Sequence, residues 1–142
     1  MKKVILTTFV AIISQLAFSQ EVSDSAYWEP VMNAIIFNES RGNVNARNGI
    51  YLGPMQISPA LVNGCNGILK SQGSSKSFTL NDRRSIEKSK EMFMLIMSKY
   101  NPERDIDKAC RIWAGGVKYS VKGTQGFVNR IRNIMKRQAN EN

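Results

Sequence analysis

The stretch at residues 24–39, DSAYWEPVMNAIIFNE, decides the fold class of this 142-residue chain. Its apolar residues recur every three or four positions, which predicts an amphipathic helix from Asp24 to about Glu39, with Asp24 or Ser25 as the N-cap and Gly42 as a stop. Glu39 follows Ile35 by four positions, so we expect its carboxyl on the helix stripe that faces the core. The apolar residues of this pattern are Tyr27, Trp28, Val31, Met32, Ile35 and Ile36.

Loops and one shorter helix are expected next. Residues 42–57 lack a helical period, and RNGIYLG at 47–53 contains the Asn-Gly pair typical of a tight turn, so we expect a loop or a short hairpin. The Ser-Pro pair at 58–59 is typical of a helix start, and we expect the NGCNG segment at 63–67 to end that helix soon. Residues 71–79, rich in Ser, Gly and Lys, indicate a surface loop.

The second half of the chain predicts three further helices. Asn81 or Asp82 is expected to cap the longest of them, and a second begins at the Asn-Pro pair at 101–102 and ends at the glycines at 115–116. Thr124 is expected to open the last helix. The residues expected on the buried faces are Ile86, Phe93, Ile96, Met97, Tyr100, Ile106, Ala109, Cys110, Trp113, Phe127, Val128, Ile131, Ile134 and Met135.

Residues 1–19 have the pattern of a secretory signal peptide. Two lysines precede an apolar run of about 15 residues, too short to span a bilayer comfortably, and Ala17 and Ser19 suit a signal-peptidase site. An uncleaved anchor is the alternative. The mature chain, 20–142, is then one mainly α domain, exported to the periplasm or cell envelope without stable membrane insertion after signal cleavage.

The chain is strongly basic, with 20 basic and 11 acidic residues, and loss of the two signal lysines would lower its net charge from +9 to +7. Such a charge favours nucleic acid, acidic lipid headgroups or an anionic cell-wall polymer, but export disfavours nucleic acid. A cationic membrane-active protein is an alternative. However, the last helix, which is both basic and amphipathic, needs its apolar residues for the core of the domain. The densest basic group is typical of a solvated helix face and consists of Arg130, Arg132, Lys136 and Arg137.

Cysteine and histidine usage limits the chemistry. Cys65 and Cys110 could form one disulfide after export, or could remain two buried thiols. The chain contains no histidine, which excludes Ser-His and Cys-His nucleophile pairs and histidine-containing zinc sites. Any chemistry must therefore use carboxylates, hydroxyls, amides or lysines. We also expect no metal site, because the chain has no run of closely spaced acids, and no organic cofactor is implied.

Glu39 is the candidate catalytic residue. A carboxyl at the end of an apolar helix face is partly desolvated, so its pKa should rise. A carboxylic acid protonated near neutral pH is what cleavage of a glycosidic bond requires; alternatively, the side chain simply reaches solvent. No second acid follows before Asp82, which disfavours a hydrolase with two carboxylates unless Asp82, Glu87 or Asp105 folds toward the site.

Four segments carry a resemblance to a known family. They are ESRG at 39–42, GPMQI at 53–57, RIWAGG at 111–116 and TQGFVNRI at 124–131. In order and spacing they resemble the lysozyme-like lytic transglycosylases of the soluble (SLT) type, over roughly residues 26–135. The resemblance implies a single lysozyme-like helical domain, with a short loop or hairpin beside an active-site groove.

The resemblance also implies an activity. Glu39 would be the single general acid and base that cleaves the β-1,4 bond between N-acetylmuramic acid and N-acetylglucosamine, leaving a 1,6-anhydro product. Ser40 would orient the carboxyl or an acetamido group, the Gly53 backbone would approach the substrate, and Trp113 would form an aromatic wall. The implied substrate-binding residues are Ser40, Gly53, Met55, Gln56, Trp113 and Tyr119. The implied partner is the peptidoglycan strand, and the protein is expected to be a monomer. It would act with a secretion, conjugation or phage apparatus, or in routine wall remodelling.

Three positions depart from the family pattern. Trp113 stands where the family has Tyr, which keeps an aromatic wall. Ala114 stands where the family usually has Asn, and Phe127 replaces a late Tyr whose hydroxyl would contact the catalytic carboxyl. Tyr119 or Tyr51 could supply that hydroxyl. The spacing of Trp113 and Phe127 also fits residues that only pack in the core. A hydrolysing lysozyme-type muramidase and a catalytically impaired peptidoglycan-binding protein are therefore the alternative functions.

Overall fold

The structure is a computed structural model that describes residues 24–141. The predicted signal peptide, residues 1–19, lies outside this range. The described chain is mainly helical, which confirms the predicted fold class. In residues 24–141, no helix combines the length and the apolar character needed to cross a membrane.

Helices make up most of the described chain, and a short hairpin separates the first from the second. In chain order the elements are α1 (24–40), β1 (Arg47–Asn48), β2 (Tyr51–Leu52), α2 (Pro59–Ser71), a 3-10 helix (Leu80–Arg84), α3 (Ile86–Tyr100), α4 (Ile106–Gly115) and α5 (Val121–Asn140). The predicted first helix is confirmed, and α1 ends one residue after Glu39.

The hairpin confirms the turn that the Asn-Gly pair predicts. Arg47 pairs with Leu52, and Asn48 pairs with Tyr51, in antiparallel register. Gly49 in the two-residue turn has a φ of +57°, the left-handed conformation that tight hairpin turns require. The hairpin places Asn48 and Tyr51 on the side of the domain where α1 ends.

Arg83 of the 3-10 helix is a buried cation that ties this helix to the hairpin. Its guanidinium donates hydrogen bonds to the main-chain carbonyl oxygens of Leu80 (2.8 Å), Ile50 (3.1 Å) and Ile57 (3.2 Å). A buried polar group is tolerated when its donors have acceptors, and here three carbonyls accept from it. The 3-10 helix and the hairpin are therefore held as one unit.

The helix α2 is longer than predicted. Its N-cap is Ser58, as the Ser-Pro pair predicts, and the hydroxyl accepts a hydrogen bond from the Leu61 N–H over 3.2 Å. The segment at 63–67 does not end the helix, which continues to Ser71. A glycine inside a helix costs about 1 kcal/mol relative to alanine, and burial of one helix face offsets that cost. The buried residues of this face are Val62, Cys65, Ile68 and Leu69.

The helix predicted to follow residues 71–79 is split into two. Thr79 and Asp82 cap the 3-10 helix, and the Asp82 carboxylate accepts the Thr79 N–H over 2.7 Å. Ser85 has an extended backbone, which breaks the helical run, and it is the N-cap of α3. The prediction that Asn81 or Asp82 caps this long helix is therefore wrong. Ile86, expected inside, is 38% exposed.

The last two helices also begin at caps other than those predicted. Asp105 caps α4, so this helix begins at 106 and not at the Asn-Pro pair at 101–102. Ser120 caps α5, so this helix begins before Thr124. Among the described helices α5, with 20 residues, is longer than α3, with 15. The cap of α4 lies nearer the buried run than the predicted start does, whereas the cap of α5 lies one turn before Thr124, which is itself buried.

The aromatic centre of the core is Phe93 of α3. Its ring lies between Trp28 of α1, at a centroid distance of 5.6 Å, and Trp113 of α4, at 5.2 Å. Such edge-on and tilted contacts are favourable aromatic geometries. Ile35 and Ile36 are buried in the same core, so the turn that precedes Glu39 is anchored there.

Candidate active site

Glu39 lies in the last turn of α1 and lines an open cavity of about 380 Å³. Its side chain is half-buried. The other lining residues come from the hairpin and the segment after it, from the end of α4 and from the first half of α5. They are Asn48, Tyr51, Met55, Gln56, Trp113, Ala114, Gly123, Gly126, Phe127 and Arg130. The fold thus gathers segments distant in sequence around one carboxyl.

Burial raises the pKa of Glu39 above the usual glutamate value. Two neighbours act in the opposite direction: Asn38 Nδ2 donates a hydrogen bond to Glu39 Oε1 over 3.3 Å, and the positive charge of Arg130 favours the ionised carboxylate. Burial is the largest effect, so the net change is a rise. The carboxyl therefore keeps its proton to a higher pH than a solvated glutamate does.

One face of α5 forms a wall of the cavity. Gly123, Gly126, Phe127 and Arg130 follow one another at intervals of three, one and three residues, the spacing of one helix face, and all four line the cavity. Two of them have no side chain, so the helix backbone itself borders the cavity there. Gly123, Gly126 and Arg130 are not among the predicted site residues, and their shared spacing is the signal that identifies them.

Met55 and Gln56, both predicted site residues, line the cavity. Met55 is buried, and its carbonyl oxygen accepts a hydrogen bond from Trp113 Nε1 over 3.3 Å. Gln56 Nε2 donates to the carbonyl oxygens of Ala46 (3.0 Å) and Gly53 (2.9 Å). Because both amide protons are used in this way, Gln56 has its side-chain oxygen left for a ligand.

Ser40 is not among the residues that line the cavity. Its hydroxyl donates to the Pro54 carbonyl oxygen over 2.8 Å and accepts the Gly42 N–H over 3.1 Å. Ser40 therefore fastens the segment before Met55 to the end of α1. This differs from the predicted role, because the hydroxyl bonds to main chain and not to the Glu39 carboxyl.

Gly53 is also outside the cavity lining. The close approach expected of its backbone is made to the protein itself: a Cβ here would lie 1.7 Å from the carbonyl oxygen of Arg83. Its φ is +84°, in the left-handed region that favours glycine. The glycine is therefore required by packing against the 3-10 helix, and the predicted substrate contact stays a prediction.

The aromatic residues divide between cavity and core. Trp113 lines the cavity while its ring packs on Phe93, so it belongs to both. Tyr119, a predicted site residue, packs against the core and does not line the cavity. Tyr51 does line it and is 46% exposed. Of the two tyrosines considered as a source of a hydroxyl, Tyr51 is the one at the cavity.

The other acids considered for the site have different positions. The Asp82 carboxylate belongs to the cap of the 3-10 helix, and that of Asp105 accepts an N–H at the start of α4. Glu87 lies in the first turn of α3 and is exposed. Among residues 24–141, Glu39 is thus the only Asp or Glu that lines this cavity.

Cys65 and Cys110 are separate buried thiols, so the disulfide considered from the sequence is not formed. Cys65 lies in α2, where its Sγ contacts the carbonyl oxygen of Met92 at 3.7 Å, whereas Cys110 is buried in α4. Burial raises the pKa of each thiol to about 12. Residues 24–141 contain no group of three or more His, Cys, Asp or Glu side chains able to hold a metal ion.

Two larger cavities open elsewhere on the surface. One, of about 620 Å³, adjoins the Glu39 cavity and shares Arg130 with it. The other, of about 650 Å³, has two acids in its lining, but Asp24 is ion-paired with Arg104 and Glu91 with Lys76. Neither of these acids resembles Glu39, because each has a cationic partner.

No protein-family model, curated protein or solved structure matches this chain.

Proposed function

We propose that this protein is a lytic transglycosylase that cleaves the β-1,4 bond between N-acetylmuramic acid and N-acetylglucosamine in peptidoglycan. Glu39 is its single general acid and base. The observation that carries this proposal is a half-buried carboxyl with a raised pKa, in an open cavity that no second described carboxylate lines. The resemblance of the segments at 39–42 and 53–57 to this family supports the same conclusion.

The reaction begins when protonated Glu39 donates its proton to the oxygen between the two sugars, and the bond from that oxygen to C1 breaks. The ionised carboxylate then takes the proton of the C6 hydroxyl, whose oxygen attacks C1 and closes the 1,6-anhydro ring. The substrate supplies the nucleophile, and its acetamido group stabilises the developing cation. Glu39 ends protonated, so one carboxyl completes the cycle.

The surroundings of Glu39 suit a group that must both give and take a proton. Burial favours the protonated form, and the charge of Arg130 favours the ionised form. The aromatic residue Trp113 and the polar residues Asn48, Tyr51 and Gln56 line the same cavity, a mixture that suits a sugar.

Two other functions of the same site make different predictions. A hydrolysing muramidase of the two-carboxylate kind needs a second acid across the scissile bond, and the described lining supplies only Glu39. A catalytically impaired peptidoglycan-binding protein is favoured by one observation: Ala114 and Phe127 line the cavity where the family has Asn and Tyr.

We also propose that residues 1–19 direct export, so that the protein acts as a monomer in the periplasm or cell envelope. Wall opening for a secretion, conjugation or phage apparatus, or routine remodelling, would use this activity. This location would be supported if the protein reaches the sacculi only in cells that secrete it.

Product analysis tests the proposal. Purified full chain and its Glu39→Gln variant are incubated with peptidoglycan sacculi, and the released muropeptides are weighed by mass spectrometry. We expect anhydro ends, lighter than reducing ends by one water, and a rate at least about 100-fold lower for the variant. Reducing ends would instead show a hydrolase. Equal inactivity of both proteins would favour the binding protein.

A further inference from the structure

The cavity that adjoins the Glu39 cavity is strongly basic. Its volume is about 620 Å³, and its lining includes Arg41 just beyond α1 and Arg130, Lys136 and Arg137 of α5. No Asp or Glu is among the described residues that line it. Four cations thus surround one concave surface without an acid between them.

These cations form no direct ion pair in the described chain, although the charge of Arg130 acts on the Glu39 carboxylate in the adjoining cavity. None of the ion pairs of residues 24–141 includes Arg41, Arg130, Lys136 or Arg137. Arg41 lies over the ring of Phe37 at 4.8 Å, and Arg130 lies over that of Phe127 at 5.7 Å. Clustered like charges repel one another, so an anion bound among them would relieve that repulsion.

One continuous helix face joins the two cavities. Along α5, Gly126 and Arg130 line the Glu39 cavity, and Arg130, Ile134 and Arg137 line the basic one, at steps of three or four residues. At 1.5 Å per residue, Gly126 and Arg137 are roughly 17 Å apart along the helix axis. An extended ligand can therefore contact both cavities at once.

We propose that this basic cavity binds carboxylates of the peptides carried by the glycan strand whose sugars occupy the Glu39 cavity. The inference rests on the proposed function, because it takes peptidoglycan as that strand. Arginine guanidinium groups bind carboxylates through paired hydrogen bonds. The exposed ring of Phe37 adds an apolar surface for a neighbouring aliphatic group.

A membrane surface fits these observations less well. A helix that lies on a bilayer buries its apolar face among the lipids. In α5 that face is already buried inside the domain, as shown by Phe127, Val128, Ile131 and Ile134. The basic face of α5 is therefore left without apolar residues of its own that could insert, and the one exposed ring beside it, Phe37, belongs to α1.

Binding measurements in a Glu39→Gln background test the inference without cleavage. The full chain is titrated onto intact sacculi and onto glycan strands stripped of their peptides by an amidase. We expect binding to intact sacculi to be tighter by about tenfold or more. The double variant Arg41→Gln/Arg137→Gln should bind both polymers with the affinity that the parent shows for stripped glycan.

A matched control removes two exposed lysines elsewhere. Lys70→Gln/Lys99→Gln loses the same charge and should keep the preference for intact sacculi. The inference would be overturned if the parent bound the two polymers with equal affinity. It would also be overturned if the arginine variant lost affinity for intact sacculi and for stripped glycan to the same extent. An arginine variant that loses binding only to phosphatidylglycerol vesicles would overturn it as well. Failure of the proposed function appears separately, as absent cleavage by the wild type.

Discussion

The main chain of Gly53 packs so closely on that of Arg83 that a Cβ at position 53 would lie 1.7 Å from the Arg83 carbonyl oxygen. The side chain of Arg83 meanwhile donates to the carbonyl oxygens of Ile50 and Ile57. Together these contacts fix the segment that presents Met55 and Gln56 to the cavity. The 3-10 helix therefore supports the site although it does not line it.

Substitution of Gly53 by alanine should damage the fold severely. The clash with a main-chain atom cannot be relieved by a side-chain rotation, so we expect a loss of roughly 3 kcal/mol or more in the free energy of unfolding. Gly42→Ala is the matched control, because Gly42 has the same φ of +84° but no atom within 4 Å of its added Cβ. It should lose only about 1–2 kcal/mol. Equal losses in urea unfolding would contradict the packing role.

The two tyrosines considered for the missing hydroxyl should differ in their effect on activity. Tyr51 lines the cavity, so Tyr51→Phe is expected to lower the rate of muropeptide release by about tenfold, the effect of one lost hydrogen bond. Tyr119→Phe removes the same atom from a residue packed on the core and should leave the rate unchanged. The opposite order of effects would assign the missing hydroxyl to Tyr119.

The thiols should be inert in the folded protein. Because burial raises the pKa of Cys65 and Cys110 to about 12, both should resist iodoacetamide at neutral pH and react once the chain is unfolded. The mass of the unreduced protein should correspond to two free thiols. A mass lower by two hydrogens, with no labelling after unfolding, would show that the disulfide forms.

The raised pKa of Glu39 predicts a pH dependence of stability. The folded protein holds this proton to a higher pH than the unfolded chain does, so the stability from this group is present below the unfolded pKa and is lost as pH rises through the folded pKa. Glutamine does not ionise. Glu39→Gln should therefore gain stability relative to the wild type across that window, as measured by urea unfolding at a series of pH values. A constant difference at every pH would contradict the shift.

The periodicity of the apolar residues predicted the helices and their buried faces well. Burial of one apolar stripe stabilises each helix and also determines which of its faces packs against the core. Val31, Phe93 and Ile131 are fully buried, as their spacing indicates. The helix starts were less predictable, since several polar residues near each start can act as the cap. Ser85 and Ser120 are the N-caps because their backbones are extended, and that backbone geometry depends on tertiary packing.

The candidate site was predictable only in part. Glu39, Met55, Gln56 and Trp113 line one cavity, and all four stand in the segments that suggested a site. Arg130 also stands in one of these segments, at 124–131, but it was not predicted as a site residue, because its place beside Glu39 depends on how α5 packs against the end of α1. Ser40 and Gly53 lie in the same segments but serve the main chain around the site.

Titration of the Glu39 carboxyl in the folded full chain is the measurement that tests the central claim most directly. Carbon NMR of protein labelled at glutamate, with Glu39→Gln used to assign the signal, follows its ionisation. We expect a midpoint above the usual glutamate value, and a further rise in Arg130→Gln because the favourable charge is removed. A midpoint at or below the usual value would contradict the claim that Glu39 holds a proton for the glycosidic oxygen.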